Sequence, residues 1–435
     1  MWIKWKSILP ESSNIFWQSA LPLFFLICFL EVSRVLDPLG RHFRLIALLL
    51  VLLAISLVAS RRALVFWKSA AGKVLPFLVA WILLTYFMTQ HSEESSLYIL
   101  NVLQGSLLFV AATGLLTAVS DFKKLFRVLA CGGLGACALG FVWSMIRNGR
   151  FALRDGPYYD ANTYAMCLLV TAPIIWVSFA RTPWWIRLCG LLATALPLLL
   201  AVKTASRGGF VAMLAMLLVL FFLASVKIRV LMASLGVVTL VVVLAFLPAS
   251  MRTRLASAAR IASSSDANMA DEHSAVARQT LFMTSVALTL ENPVFGVGPG
   301  NFASTVVEVG RSQGIEWAPL NTHNSYTQIS SETGIPGFLI FVLFLFFSVK
   351  SAVSALRCTS TTSEDPDPEI HRLAAGLLVS LAALLTCMFF LSEGYNLVVF
   401  MWLGVACGLR LLLPEPPPNE DEFIEMEPEQ LAPEL

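Results

Sequence analysis

Residues 321–350 read NTHNSYTQISSETGIPGFLIFVLFLFFSVK. From Gly337 onward the residues are almost all apolar, over a length that crosses the roughly 30 Å of hydrocarbon in a bilayer. This half therefore predicts a membrane-spanning helix. The half before Gly337 carries His323, Asn324 and Glu332. Membrane proteins gain no stability from ionisable groups at such a place, so their presence indicates chemistry at the membrane surface.

The rest of the chain has the composition of a membrane protein. Of its 435 residues, 57% are hydrophobic and 13% are charged, whereas a soluble domain carries about 25% charged residues. Twelve apolar runs are long enough to be candidate spans. They cover residues 15–32, 43–59, 74–90, 97–119, 125–146, 163–180, 185–203, 208–225, 228–247, 337–355, 372–391 and 395–413. The prediction is an all-α polytopic membrane protein with about 12 transmembrane helices and a large helical outer loop between spans 9 and 10.

The distribution of basic residues predicts the orientation. With the N-terminus in the cytoplasm, inside segments hold 17 Lys and Arg and short outside loops hold 8, the bias expected from the positive-inside rule. Residues 1–247 then form helices 1–9 and residues 337–413 form helices 10–12. Residues 248–336 form the outer loop, with short helices expected near 271–290 and 302–312. Residues 414–435 are predicted to be a disordered, acidic cytoplasmic tail.

Arginine dominates the predicted outer side. Outside segments hold twelve Arg and one Lys, whereas inside segments hold nine Arg and eight Lys. Arginine grips phosphate through two parallel hydrogen bonds, although chance and generic surface arginine account equally well for the count. No CxxC motif or His–Cys cluster indicates a metal site, and no nucleotide-binding loop is present. An enzyme that acts outside the cytoplasm has no ATP available, so its reaction must use an activated, membrane-borne substrate.

Three side chains are the leading candidates for that chemistry. His323 can exchange a proton near neutral pH and so deprotonate a hydroxyl group; its alternative role is capping or packing. Arg278 lies on a predicted amphipathic helix, where it either binds an anion or reaches to water. Arg207 stands beside a predicted helix N-terminus, a favourable anion site, or is an ordinary positive flank. Asp160 and Asn162 precede the sixth span, where they either bind sugar or cap the helix.

Several of these motifs together resemble those of a known family. Residues 322–337, with His323 at their start, are similar to the histidine motif of the O-antigen ligase and O-antigen polymerase superfamily. Arg278 followed by residues 292–302 resembles the approach to that motif. Residues 206–209 resemble the family's arginine at the start of a span, and residues 160–162 its Asp-x-Asn turn.

The resemblance implies a metal-independent, inverting glycosyltransferase of the GT-C type that needs no cofactor. Such enzymes take a glycan from undecaprenyl diphosphate at the periplasmic face of the bacterial inner membrane. Carried over, His323 is the general base, and Arg207 and Arg278 bind the departing diphosphate. The further substrate-binding candidates are Asn324, Tyr326, Arg311, Asp160, Asn162 and Arg154.

The family contains enzymes with different acceptors. The single large outer loop late in the chain, with His323 at its end, favours an O-antigen ligase that uses lipid A-core in lipopolysaccharide biosynthesis. An O-antigen or exopolysaccharide polymerase and a protein O-oligosaccharyltransferase are the alternatives. A transporter for lipid-linked sugars would have charges in several spans and two similar halves, and the sequence has neither. A non-catalytic assembly subunit offers no reason for the histidine and arginine pattern.

Overall fold

The computed structural model describes residues 15–37, 42–89, 95–147, 150–154, 156–230, 232–234, 269–312, 319–360 and 367–414. We number its helices in chain order. They are α1 Ile15–Ser33, α2 His42–Ala59, α3 Ala70–Met88, α4 Ser95–Leu115, α5 Val119–Val142, α6 Ala161–Phe179, α7 Trp184–Lys203, α8 Arg207–Leu223, α9 Met269–Glu291, α10 Phe302–Ser312, α11 Ser325–Cys358, α12 Pro368–Cys387 and α13 Leu397–Leu411. Short 3-10 helices occupy Val65–Lys68 and Pro157–Tyr159, and residues 226–230 and 232–234 are also helical.

The all-α polytopic membrane fold predicted from the sequence is confirmed. Seven of the described helices are long and apolar enough to cross a membrane by length and composition: α3 to α7, α11 and α12. Shorter apolar helices correspond to the predicted spans at 15–32, 43–59, 208–225 and 395–413. The predicted span at 228–247 lies largely outside the described residues. The predicted tail at 414–435 lies outside them apart from Pro414.

Three predicted spans end four residues later than the observed helices α4, α5 and α12, and at α5 the residues that follow form strands. The fifth span was predicted to run to residue 146, but α5 ends at Val142 and a hairpin follows. Its strands β1 Ser144–Arg147 and β2 Arg150–Leu153 pair antiparallel. Leu153 and the residue before it are buried. The hairpin therefore rests on the helix ends and brings the start of β2 to one end of the bundle.

Helix packing relies on small residues, as is usual where helices meet in a membrane. α13 lies along α4, and α6 is enclosed by α5, α7 and α12. A Cβ atom on Gly404 of α13 would lie 2.7 Å from the Cα atom of Phe109, and one on Gly408 would lie 2.8 Å from the carbonyl oxygen of Ala112. Side chains larger than hydrogen at these glycines would push α13 away from α4.

The helices alternate in direction, so one end of the bundle collects the starts of α6, α8, α11 and α13. Each of these starts has a polar N-cap residue whose side chain accepts a backbone N–H from the first turn. The N-caps are Asp160, Ser206, Asn324 and Asn396. A cap of this kind contributes about 1 kcal/mol. These four cap residues lie at the same end of the bundle, which we call the capped end.

Candidate active site

His323 lies at the capped end, two residues before α11. Its backbone has φ 51°, a left-handed conformation that costs a non-glycine residue about 1–3 kcal/mol and occurs mostly at functional sites. The His323 N–H donates to Ser392 Oγ at 2.9 Å, and Ser392 Oγ also lies 3.0 Å from Thr322 Oγ1. Asn324 Oδ1 accepts the N–H groups of Tyr326 and Thr327. These contacts fix the backbone conformation at His323 and so restrict the orientation of its imidazole side chain.

The surroundings of His323 favour a neutral ring. The side chain is half-buried, and this burial is the main cause that lowers its pKa from the ordinary value. The positive charge of Arg278 lowers the pKa further, and Asp160 acts in the opposite direction. A neutral imidazole can accept a proton at neutral pH. Within the described residues, neither ring nitrogen makes a hydrogen bond, so the ring is open to a substrate.

Three arginines lie close together at this end, and one of them, Arg278, interacts with the histidine. Arg278 is half-buried on α9, and burial lowers the pKa of its guanidinium, as do the positive charges of Arg150 and Arg207; Asp160 raises it. Like charges gathered in a partly buried site repel one another unless an anion lies between them. The arrangement therefore favours a ligand with several negative charges, and guanidinium groups suit phosphate oxygens in particular.

Asn162 connects the arginine cluster to two helix starts. Its Oδ1 accepts Arg150 Nη2 at 2.6 Å and Ser206 Oγ at 2.9 Å. Its Nδ2 donates to Asp160 Oδ1 at 3.1 Å. Arg150 Nε also donates to the carbonyl oxygen of Thr204 at 3.1 Å. The predicted Asp-x-Asn turn and the predicted arginine motif of α8 are thus parts of one hydrogen-bonded unit, and Asp160 caps α6 as the sequence predicted.

Arg207 is the first residue of α8. Ser206 Oγ caps this helix by accepting the N–H of Gly209 at 3.1 Å, so the positive end of the helix dipole points to the same region as the guanidinium. A Cβ atom on Gly208 would lie 2.6 Å from Phe390 Cβ. The glycine lets α8 approach the loop between α12 and α13, which places Arg207 beside the loop that supports His323.

That loop, residues 388–396, was not predicted to belong to the site. Ser325 Oγ donates to the carbonyl oxygen of Leu391 at 2.6 Å, and the N–H of Glu393 donates to Ser325 Oγ at 2.9 Å. Glu393 Oε1 accepts Thr163 Oγ1 at 2.8 Å, and the same hydroxyl lies 3.2 Å from Asp160 Oδ2. Burial raises the pKa of Glu393 despite these hydrogen bonds. The sequence does contain a signal that could identify Glu393, because a glutamate in a short loop between two strongly apolar runs indicates a functional role.

The glycine-rich turn at 296–302 supports α11 from the other side. Gly334 has φ 70° and is the one non-helical residue inside α11. At this kink the N–H of Val297 donates to the carbonyl oxygen of Ser331 at 2.8 Å. The buried carboxylate of Glu332 accepts the N–H of Gly300 at 3.0 Å. The turn packs directly on the backbone of α11 near Ser331 and Glu332. The part of the histidine motif around Glu332 therefore helps to hold the start of α11 in place.

The remaining candidates from the sequence are placed differently. Tyr326 packs against Phe389 with the rings tilted by 35° and their centroids 4.3 Å apart, and its hydroxyl donates to the carbonyl oxygen of Leu385. Arg154 is exposed, with its guanidinium carbon 5.3 Å from the Trp143 ring centroid. Arg311 is exposed in the last turn of α10. The electrostatic contacts of His323 and Arg278 include neither Arg154 nor Arg311.

The described residues contain no group of three or more His, Cys, Asp or Glu side chains that could hold a metal ion. A cavity of about 570 Å³ lies beside the glycine-rich turn and is lined by Thr89, Asn301 and Glu308 among others. Neither His323 nor the three arginines line it, so we place the candidate site at the histidine and arginine cluster.

Comparison with known proteins identifies the family. The model of the O-antigen ligase family matches residues 191–342, a segment that contains Arg207, Arg278 and His323. Arg150, Asn162 and the loop at 388–396 lie outside the match. No curated protein matches the chain. The resemblance drawn from the motifs is confirmed for this segment, which matches the O-antigen ligase family and so supports the O-antigen ligase and polymerase superfamily.

Proposed function

We propose that the protein is an O-antigen ligase-type glycosyltransferase. It moves a glycan from undecaprenyl diphosphate to a hydroxyl group of lipid A-core at the periplasmic face of the bacterial inner membrane. The observation that carries this proposal lies at the capped end, where Arg278 interacts with His323 and also with Arg150 and Arg207. The predicted charge bias of the loops supports a periplasmic position for this end.

In the proposed reaction the three arginines hold the diphosphate and His323 holds the acceptor hydroxyl. The hydroxyl oxygen attacks the anomeric carbon while its proton passes to the neutral imidazole. The bond between that carbon and the diphosphate oxygen breaks, and its electron pair stays on undecaprenyl diphosphate. Arg150, Arg207 and Arg278 stabilise the negative charge that develops there. Attack opposite the leaving group inverts the anomeric configuration.

An O-antigen or exopolysaccharide polymerase is the second candidate, and the family match at residues 191–342 agrees equally well with it. A protein O-oligosaccharyltransferase would use the same donor chemistry. The placement of one large loop late in the chain favours the ligase. The candidates differ only in the acceptor, so the acceptor decides between them.

The experiment supplies protein in nanodiscs with a defined undecaprenyl diphosphate glycan and offers three acceptors in parallel. These are lipid A-core, a second lipid-linked glycan and a pilin-like protein. Transfer to lipid A-core is the expected result. Transfer only to the second glycan would replace the ligase by a polymerase, and absence of transfer to all three would overturn the proposal.

The role of His323 is tested in the same assay. His323→Ala should lower the transfer rate roughly 100-fold or more, because the general base is lost. His371→Ala, at the first turn of α12 and therefore at the opposite end of the bundle, is the matched control and should retain the rate. Normal transfer by folded His323→Ala protein would contradict the assignment.

A further inference from the structure

A second charged cavity lies at the other end of the helices. α11 and α13 begin beside the candidate active site and end at this cavity, so about 37 Å of α11 separates Ser325 from Lys350. The cavity has a volume of about 850 Å³. We call it the basic pocket, and define it by the lining cations and the apolar side chains between them. These are Lys68, Lys73, Lys350 and Arg410, with Leu64, Trp67, Phe347 and Leu411.

The basic pocket carries a positive charge that its own walls do not balance. Among the residues that the structure describes, no Asp or Glu lines it. Lys68, Lys73 and Lys350 are exposed, and no ion pair involves them in the described part of the chain. Three ammonium groups and one guanidinium around a half-apolar cavity favour a ligand that is both acidic and apolar.

The chain itself enters this region. Arg410 Nε donates to Ser354 Oγ at 2.9 Å. Its Nη1 donates to the carbonyl oxygens of Leu413 at 3.1 Å and Pro414 at 3.0 Å. Leu413 also lines the pocket. The segment that follows Pro414 therefore starts at the rim of the basic pocket.

The sequence of residues 415–435 complements this pocket. It contains eight Asp and Glu and no Lys or Arg. In its middle, residues 420–427 read EDEFIEME, in which Phe423, Ile424 and Met426 stand among carboxylates. Phe423 lies nine positions after Pro414, and a chain of this length can span up to about 30 Å.

We propose that the acidic segment 415–435 binds the basic pocket of its own chain. Carboxylates of the segment pair with the three lysines, and Phe423 packs among Leu64, Trp67 and neighbouring apolar side chains. Tethering gives the segment an effective concentration in the millimolar range, so weak pairs suffice. The contact joins the ends of α3, α11 and α13 and does not depend on the proposed transfer reaction.

An anionic phospholipid headgroup is the competing occupant. The observations favour the segment, since it starts at the rim and its acidic and apolar residues match both halves of the pocket. A headgroup accounts for neither the position nor the composition of residues 415–435.

The test uses the full chain in phosphatidylcholine nanodiscs, with a photo-crosslinking amino acid at Phe423 and adducts mapped by mass spectrometry. Adducts on the walls of the basic pocket are expected. A triple variant, Lys68→Gln with Lys73→Gln and Lys350→Gln, should lower their yield roughly fivefold or more, because tethering cannot replace the lost pairs. Adducts elsewhere, or on lipid only, would overturn the proposal.

The matched control removes the same charge from exposed positions at the same end: Lys124→Gln, Arg127→Gln and Lys227→Gln. Equal losses of yield in the two triple variants would also overturn the proposal. A second probe at Leu64, which is 71% exposed, is used in nanodiscs with phosphatidylglycerol. Adducts with residues 415–435 support the proposal, whereas adducts with phosphatidylglycerol alone assign the pocket to a headgroup.

Discussion

Asn162→Ala separates the role of the arginine cluster from the stability of the fold. Asn162 makes three hydrogen bonds, and two of them join charged partners, Arg150 and Asp160. The third holds Ser206 at the start of α8. The substitution leaves all three partners in place but removes the group that fixes their relative positions. Arg150 then keeps its contact with Thr204 alone.

The expected magnitude follows from these bonds. A hydrogen bond to a charged group contributes about 1.5–3 kcal/mol and a neutral one about 1 kcal/mol. After the substitution, water can hydrogen-bond to Arg150 and Asp160, which offsets part of the loss. We therefore expect the free energy of unfolding to fall by about 3 kcal/mol. Misplacement of one guanidinium at the diphosphate should cost about 1.4–2.7 kcal/mol of transition-state stabilisation, which is a 10- to 100-fold fall in kcat/KM.

The assay measures thermal unfolding and donor-dependent transfer on the same preparation. Ser380→Ala is the matched control, because buried Ser380 also joins two partners, donating to the Val170 carbonyl and accepting Trp402 Nε1. It lies between helices away from the capped end. The control should lower the melting temperature and leave kcat/KM unchanged. If Asn162→Ala also lowers only the melting temperature, Asn162 is structural and the reasoning fails.

Two further predictions concern His323. Ser392→Ala removes the acceptor of the His323 N–H and should lower kcat roughly tenfold with little change in the donor KM, while Ser392→Thr restores the rate; a loss of donor binding alone would contradict this. Arg278→Gln removes a positive charge that lowers the pKa of His323. The acid limb of the residual pH–rate profile should therefore move to higher pH, whereas Arg311→Gln should leave it in place; equal shifts would contradict the assignment.

Much of the membrane fold was predictable because the length of an apolar run is a direct consequence of bilayer thickness. The spans predicted at 163–180 and 185–203 differ from α6 and α7 by no more than two residues at either end. Helix ends were predictable where a cap residue marks them, as Asp160 does for α6. The outer-loop helices predicted near 271–290 and 302–312 correspond to α9 and α10.

The hairpin was not predictable in the same way. Its strands have four residues each, and the first follows the apolar run of α5 without a break in the sequence pattern. The pattern therefore predicts a fifth span that continues to residue 146. With the hairpin absent from the prediction, nothing in the sequence distinguished Arg150 from Arg154. Pairing places Arg150 at the start of β2, where it bonds Asn162. Arg154 follows the strand and lies over Trp143.

Contacts between distant segments account for the other residues that the sequence did not single out. Ser392 and Glu393 come 69 and 70 residues after His323, on a loop with no motif of its own. They reach the site because α11, α12 and α13 alternate in direction, which brings the end of α12 back to the start of α11. Local patterns identify which residues are suited to chemistry, whereas supporting contacts of this kind depend on how the helices pack.

The electrostatics of the site link donor binding to the strength of the base. In the free protein, burial and Arg278 lower the pKa of His323, so the ring is neutral but a weak base. In the proposed reaction, a diphosphate bound among Arg150, Arg207 and Arg278 would bring negative charge that offsets these arginines and raises the pKa of the imidazole. The base therefore gains strength when the leaving group is in place. Under the proposed function, the arginines that hold the donor also prepare His323 for the acceptor hydroxyl, which gives a reason for three cations near one histidine.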